Sequence, residues 1–353
     1  MSEQVTNDSS VIKKPANITA LNYFYNNGQQ TDSFYEQAVI KQKANSNRIT
    51  GFPELDSCQN SMYPGLYVLG AVSSLGKTTF IHQICDSMAS RGEHVLYFSL
   101  EQTEFELYSK SIARTLKIIR QNQTDPKFPS PSAIELRRGE YFNDQRVRDA
   151  IKSYSRSVEN RMNIIPTLFS ADVETIQNMT KEYMELSGEK PVVVVDYLQI
   201  VTPSVINKRQ LEQRAAIDHI VHSLKCFQAE YDIVVILISS LNRQNYMTPI
   251  DFESFKESGG IEYTADVIWG LQLGIMSSND IFNKEGHIKE KREAVQNAKA
   301  ATPRKLELVC LKNRYGKCNY AVKFDYYPRE DFFCTKLSQQ QSVAAANSST
   351  DKQ

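Results

Sequence analysis

Several short apolar runs in this chain are continuous rather than alternating. Gly65-Leu66-Tyr67-Val68-Leu69-Gly70, Val95–Leu100, Pro191–Asp196 and Ile233–Ile238 are each bounded by polar residues. Runs of this kind suit parallel strands buried on both faces. Amphipathic stretches lie between them at Thr79–Ser90, Phe105–Leu116, Val173–Leu186 and Leu211–Tyr231, and these read as helices. Arg91-Gly92 and Ser187-Gly188 supply the expected stops. Asn163–Ile165, Ala265–Leu273, Leu306–Leu311 and Tyr320–Tyr326 read as further strands, the last two forming a hairpin about the basic turn Lys312–Lys317. The alternation predicts an α/β fold: a mostly parallel sheet with helices on both faces and a C-terminal β-hairpin. In such sheets ligands collect at the carboxyl ends of the strands.

The rest of the chain sets the expected boundaries. Residues 1–48 read as a polar N-terminal tail and an arm, with a short helix over Asp32–Lys43. Two readings of that arm stay open: a helix packed on its own domain, or one that docks on a neighbouring subunit. Residues 49–335 read as one large domain, and 336–353 as a disordered tail rich in Gln, Ser and Ala. Within the large domain, 277–303 is a hydrophilic insert, an exposed helix or a disordered segment. Residues 132–157 carry helical patterning with many basic residues, read as a solvated face. The segment 244–260 reads as a loop, and no internal repeat is visible.

Composition narrows the class only a little. Of 353 residues, 41% are hydrophobic and 23% charged, as in ordinary globular domains. Formal net charge is zero, so any nucleic-acid binding has to come from local patches. Six cysteines are scattered without CxxC or Cys/His spacing, which points to reduced thiols in a cytoplasmic protein. No apolar run reaches the roughly 20 residues of a membrane span, and no signal peptide is apparent in residues 1–20, so no membrane partner is expected.

Chemistry concentrates in Ala71-Val72-Ser73-Ser74-Leu75-Gly76-Lys77-Thr78-Thr79. A strand, a Gly-Lys-Thr turn and a helix form the layout of a phosphate-binding loop. Backbone N–H groups of Ala71, Ser73, Ser74, Gly76 and Thr79 would converge on a triphosphate, helped by the positive end of the helix dipole. Lys77 would reach the β- and γ-phosphates, and Thr78 would hold Mg²⁺. The usual pattern opens with Gly, where this chain has Ala71. Two carboxylates end neighbouring strands: Glu101, placed for chemistry beside the loop, and Asp196, placed to order the Mg²⁺ shell. Ser240 falls at another strand end.

The order of these motifs resembles the RecA-like motor domain of DnaB-type replicative helicases, from Thr50 to Asp325. Thr50-Gly51-Phe52 with Leu55-Asp56 is similar to that family's entry motif. The loop beginning with Ala and ending Gly76-Lys77-Thr78-Thr79 is its form of the phosphate loop. Ser99-Leu100-Glu101 and Asp196-Tyr197-Leu198-Gln199 look like its catalytic-Glu and Walker B motifs. Glu257-Ser258-Gly259, with Ile261-Glu262 and Ala265-Asp266, is similar to its DNA-contacting loop. Lys312-Asn313-Arg314-Tyr315-Gly316 is similar to its Lys-x-Arg-x-Gly turn.

The resemblance implies ATP hydrolysis with Mg²⁺ at the subunit interfaces of a homo-oligomeric ring, a hexamer in that family. In this reading Lys77, Glu101 and Asp196 act on one subunit, while Lys312 and Arg314 reach the nucleotide of its neighbour. Single-stranded DNA would contact Arg243, Lys256, Glu257 and Gly259, and a primase or a loader protein would be a further partner. Three departures stand out. Ser240 occupies the position where the family usually has Gln, a γ-phosphate sensor that couples to the DNA loop. Lys256 stands where the family usually has Arg, keeping charge without the planar fork. The 48 residues ahead of the motor region are too few for the family's helical N-terminal domain. Two rival readings remain open here: a RecA-like DNA-dependent ATPase, recombinational or regulatory, that does not unwind, and an ATP-binding scaffold without turnover.

Overall fold

The computed structural model describes residues 31–44, 48–121, 125, 127–167, 171–202, 213–241, 247–255, 259–278, 282 and 286–338. The chain divides into two units, Met1–Ala44 and Asn45–Gln353. The first contains one described helix, α1 (Thr31–Ala44), on which Tyr35 and Ile40 are exposed.

The second unit begins with α2 (Pro53–Gln59) and β1 (Gly65–Ala71), and continues with α3 (Lys77–Ser90), β2 (Val95–Ser99) and α4 (Glu104–Gln121). Next come α5 (Ala133–Arg137), α6 (Gln145–Val158), β3 (Met162–Pro166), α7 (Val173–Ser187) and β4 (Val192–Asp196). They are followed by α8 (Gln213–Tyr231), β5 (Val234–Ser240), α9 (Gly259–Thr264), β6 (Val267–Leu273) and α10 (Ile275–Ser278). The C-terminal part holds α11 (Ile288–Ala300), β7 (Arg304–Asn313), β8 (Ala321–Tyr327) and β9 (Phe332–Cys334).

The nine strands among the described residues form one sheet in the order β3-β2-β4-β5-β1-β6-β7-β8-β9. Neighbours from β3 to β6 run parallel, and β7, β8 and β9 extend the sheet antiparallel. Every residue of β1, β2, β4 and β6 is buried, which requires cover on both faces. The continuous Val and Leu runs are therefore the core of the fold, as their pattern predicts.

The structure refines several expectations. The basic stretch 132–157 is two helices, α5 and α6, the first opened by a reciprocal capping box between Ser132 and Glu135. Helix α6 is amphipathic, with Val147, Ala150, Tyr154 and Val158 buried and most of its basic residues outside. The hydrophilic insert contains α11, and it packs rather than standing free. Lys291 and Val295 are buried, and Ala294 and Ala298 pack on the core. Two of these four residues are Ala and one is Lys, so the stripe carries little hydrophobic signal. Strand β9 has no counterpart in the sequence reading; at three residues it is too short to show a period.

Candidate nucleotide site

The sheet brings four strand ends to one edge. Ala71 of β1 lies opposite Ser240 of β5, and Ser99 of β2 lies opposite Asp196 of β4. The chain leaves β1 into the turn 72–76, where Ser74 has φ +66° and Gly76 φ +89°. Gly76 is the N-cap of α3, and a side chain there would meet the Tyr326 and Phe333 rings at 3.1 Å. Only Gly meets both demands, a left-handed backbone and close approach. Lys77 turns back so that its Nζ donates to the Ala71 carbonyl at 3.2 Å.

An open cleft of about 380 Å³ sits on this edge. Ser73, Ser74, Gly76, Lys77, Thr78, Thr79, Glu101, Asp196 and Ser240 all line it. Of the residues singled out from sequence for phosphate, metal and water chemistry on one subunit, all but Ala71, which ends β1, thus share one cavity. Asp196 is buried, and burial raises its carboxyl above the ordinary range. Hydrogen bonds from the Tyr97 and Thr78 hydroxyls oppose that rise, and the charge of Glu101 adds to it. The Tyr97 hydroxyl donates to Asp196 Oδ2 at 2.7 Å. Glu101 is exposed, and the turn that carries it is tied by Ser99 Oγ donating to the Gln102 carbonyl at 2.6 Å.

The cleft also holds residues that no motif announced. Asp331 accepts from Thr79 Oγ1 at 2.9 Å and lies 3.7 Å from the Lys110 ammonium. Lys110 Nζ donates to Thr79 Oγ1 at 3.3 Å. Tyr326 stacks on Phe333 with ring centroids 4.2 Å apart and faces the cleft. Asp331 and Tyr326 arrive from β8 and the turn after it, more than 240 positions from the phosphate loop. Ser240 itself is clamped by Gln199, whose Oε1 accepts from Ser240 N at 3.2 Å and whose Nε2 donates to Ser239 Oγ at 2.9 Å.

Lys312 and Arg314 lie elsewhere. Val267 pairs with Tyr67 on one side and Asn313 on the other, whereas Ala71 pairs with Leu271. The basic turn therefore leaves the sheet at the opening end of β1, at least four residues, or about 13 Å, from the phosphate loop. It is pinned there by Tyr315, whose hydroxyl donates to the Pro64 carbonyl at 2.7 Å. Gly65 leaves room for that ring, since any side chain there would collide with the Tyr315 hydroxyl. Asn313 shapes the turn, its Oδ1 accepting from Tyr315 N at 2.9 Å.

A cleft lined by the phosphate loop, with Lys312 and Arg314 at the opposite end of β1, narrows the families this chain can join. The model of the DnaB-like helicase C-terminal domain matches residues 49–333. The chain belongs to that family. A replicative DNA helicase DnaB of Mycoplasma genitalium is 26% identical over 86% of this chain and 60% of its own length. One from Pasteurella multocida is 30% identical over 62% of this chain and 44% of its own length. The chain thus spans about half the length of such relatives. Among solved structures, an ATPase domain aligns with a TM-score of 0.67 at 21% identity, covering 88% of this chain and 98% of that domain. A DnaB-like replicative helicase, solved with its interactions with primase, aligns at 0.65 and 22% identity over 87% of this chain and 66% of its own. These two likenesses establish the RecA-like fold of the DnaB ATPase domain.

Against the DnaB-like pattern, Gly259 opens α9, and its neighbour Gly260 donates to Asp218 Oδ1 at 2.9 Å. Arg243, Lys256 and Glu257, expected to contact DNA, lie outside the described residues, as do 1–30 and the tail 339–353. Among the described residues, no helix is long and apolar enough to cross a membrane.

Proposed function

We propose that this chain is the ATP-hydrolysing motor of a replicative-type DNA helicase, working at the interfaces of a homo-oligomeric ring, a hexamer, in the cytoplasm. The observation that carries the reading is the separation just described: the phosphate loop and the Lys312–Arg314 turn sit at opposite ends of β1. One copy cannot apply both to one nucleotide, and a head-to-tail neighbour can.

In this reading the turn 72–76 and the start of α3 cradle the triphosphate, and Lys77 leaves the Ala71 carbonyl for the β- and γ-phosphates. Thr78 and Asp196 suit Mg²⁺: a hydroxyl and a buried carboxylate share one hydrogen-bonded contact, and a cation there relieves the cost of burying the charge. Mg²⁺ held there by Thr78 and Asp196 would supply neutralisation of the phosphate charge. Glu101, exposed in the cleft, positions the attacking water. Arg314 and Lys312 of a neighbour stabilise the transferring phosphoryl group, a contribution of about 10³–10⁵ in rate for such fingers. Arg243, Lys256, Glu257 and Gly259 contact single-stranded DNA through charge and backbone, so without sequence preference. A primase or a loader protein is the further partner this reading carries.

The test is strand displacement on a forked duplex together with the mass of the native assembly with and without nucleotide. Unwinding by a ring supports the proposal. Hydrolysis stimulated by single-stranded DNA without unwinding supports a second reading, a DNA-dependent ATPase that does not unwind. One observation favours that reading: Ser240, held by Gln199, is shorter than the Gln expected as γ-phosphate sensor.

A further inference from the structure

The Arg314 finger is not loose in the structure. Its Nη1 lies 3.0 Å from Asp266 Oδ1, and its backbone N–H donates to the Asp266 carbonyl at 3.0 Å. The guanidinium is half exposed, while the Asp266 side chain is only 3% exposed. The other carboxylate oxygen, Oδ2, accepts from Leu66 N at 2.8 Å and from Lys225 Nζ at 2.5 Å. Lys225 stands on α8 and is steadied by Gln228 Oε1 at 2.8 Å. Lys312 is parked too, its Nζ donating to the Glu262 carbonyl at 2.6 Å at the end of α9. A single buried carboxylate thus holds two cations, one of which the proposed chemistry requires elsewhere.

The electrostatics give Lys225 a task. Removing one partner from a buried ion pair leaves an uncompensated charge, which is strongly unfavourable. If Arg314 were the single cation on Asp266, leaving for a neighbour's phosphate would carry that penalty. With Lys225 and the Leu66 N–H on Oδ2, the carboxylate stays paired when Arg314 goes. Lys225 serves no other ion pair among the described residues.

We propose that Asp266 is the resting site of the Arg314 finger, and that Lys225 is a positioning residue that lets the finger leave by keeping Asp266 paired. The inference rests on the trans-finger reading above. In it, Lys225 touches neither nucleotide nor reacting atoms. It acts on the rate of the chemical step through the free energy of moving Arg314.

Three variants of the full chain decide the matter, with kcat and KM for MgATP, fluorescent-nucleotide binding and thermal melting measured on each. Lys225→Met locks the finger: kcat falls by about tenfold or more while nucleotide affinity and melting stay near those of the parent, and Lys225→Arg restores the rate. Asp266→Asn frees the finger: hydrolysis in the absence of DNA rises several-fold. The opposite role, Asp266 as a fixed strut that aims Arg314, gives the reverse pattern, no loss with Lys225→Met and a fall with Asp266→Asn, and that pattern overturns the proposal. Arg314→Ala is the control on the reading beneath it. Loss of hydrolysis with a silent Lys225→Met sinks the resting site alone, and retained hydrolysis in Arg314→Ala sinks both.

Discussion

Tyr97 of β2 donates its hydroxyl to Asp196 of β4 across the strand pair, 2.7 Å from Oδ2. Both groups are buried, and burial next to the Asp196 charge pushes the Tyr97 phenol well above its usual range. Tyr97 therefore stays a donor at any working pH and fixes the orientation of the carboxylate. Tyr97→Phe is expected to raise the Mg²⁺ concentration for half-maximal hydrolysis by about tenfold or more, as loss of a group that orients a metal ligand does. A Mg²⁺ titration of the steady-state rate checks this, and an unchanged half-saturation point counts against the metal role of Asp196.

The trans arrangement has a mixing test. Lys77→Ala and Arg314→Ala are each expected to be inactive in hydrolysis, the second while still binding nucleotide. Mixed before assembly, they should regain activity, because about one interface in four then joins an intact phosphate loop to an intact finger. Two inactive pools that stay inactive when mixed, with co-assembly shown by mass, argue for a site complete within one subunit.

Gly76→Ala is expected to lower both stability and nucleotide affinity. Its φ of +89° disfavours any side chain, and the new methyl would press on Tyr326 and Phe333 at 3.1 Å. The backbone strain is about 1–3 kcal/mol. Melting temperature and fluorescent-nucleotide binding should fall together; a drop in melting with unchanged binding would show that the turn keeps its shape.

His82 supplies a pH signature. It is fully buried on the phosphate-loop helix α3, and burial first, with the Arg114 charge assisting, lowers it to about 4 from 6.5. The folded chain thus keeps this ring neutral while the unfolded chain takes up a proton below pH 6.5. Stability attributable to His82 is fully present above 6.5 and is lost progressively as pH falls toward about 4. Melting temperature measured from pH 7.5 to 4.5 should fall, and His82→Phe should flatten that slope across this window. An identical slope in the variant assigns it to carboxylates such as Asp86.

The parallel core was legible because Val192–Val195 and Ile236–Ile238 are buried on both faces, and such strands write their burial directly as apolar runs. The phosphate loop, Glu101 and Asp196 were legible because each is tied to a strand end by short-range sequence. Lys110, Asp331 and Tyr326 were not: Asp331 and Tyr326 reach the cleft through the placement of β8 and the turn after it, and Lys110 through the packing of α4 beside α3, long-range contacts with no local mark. The resting contact of Arg314 was hidden for the same reason: Asp266 and Lys225 are 48 and 89 positions away from it. That α11 packs on the core escaped because its inward residues, Lys291, Ala294, Val295 and Ala298, show little apolar bulk.

The placement of Tyr315 against Pro64, beneath the start of β1, has a geometric consequence. A contact that joins the top edge of one sheet to the bottom edge of the next has no two-fold axis. Copies can only follow one another in a single rotational sense, like arrows around a circle. In the ring proposed above, a circuit built this way would have a front and a back that are already present in the shape of the single subunit.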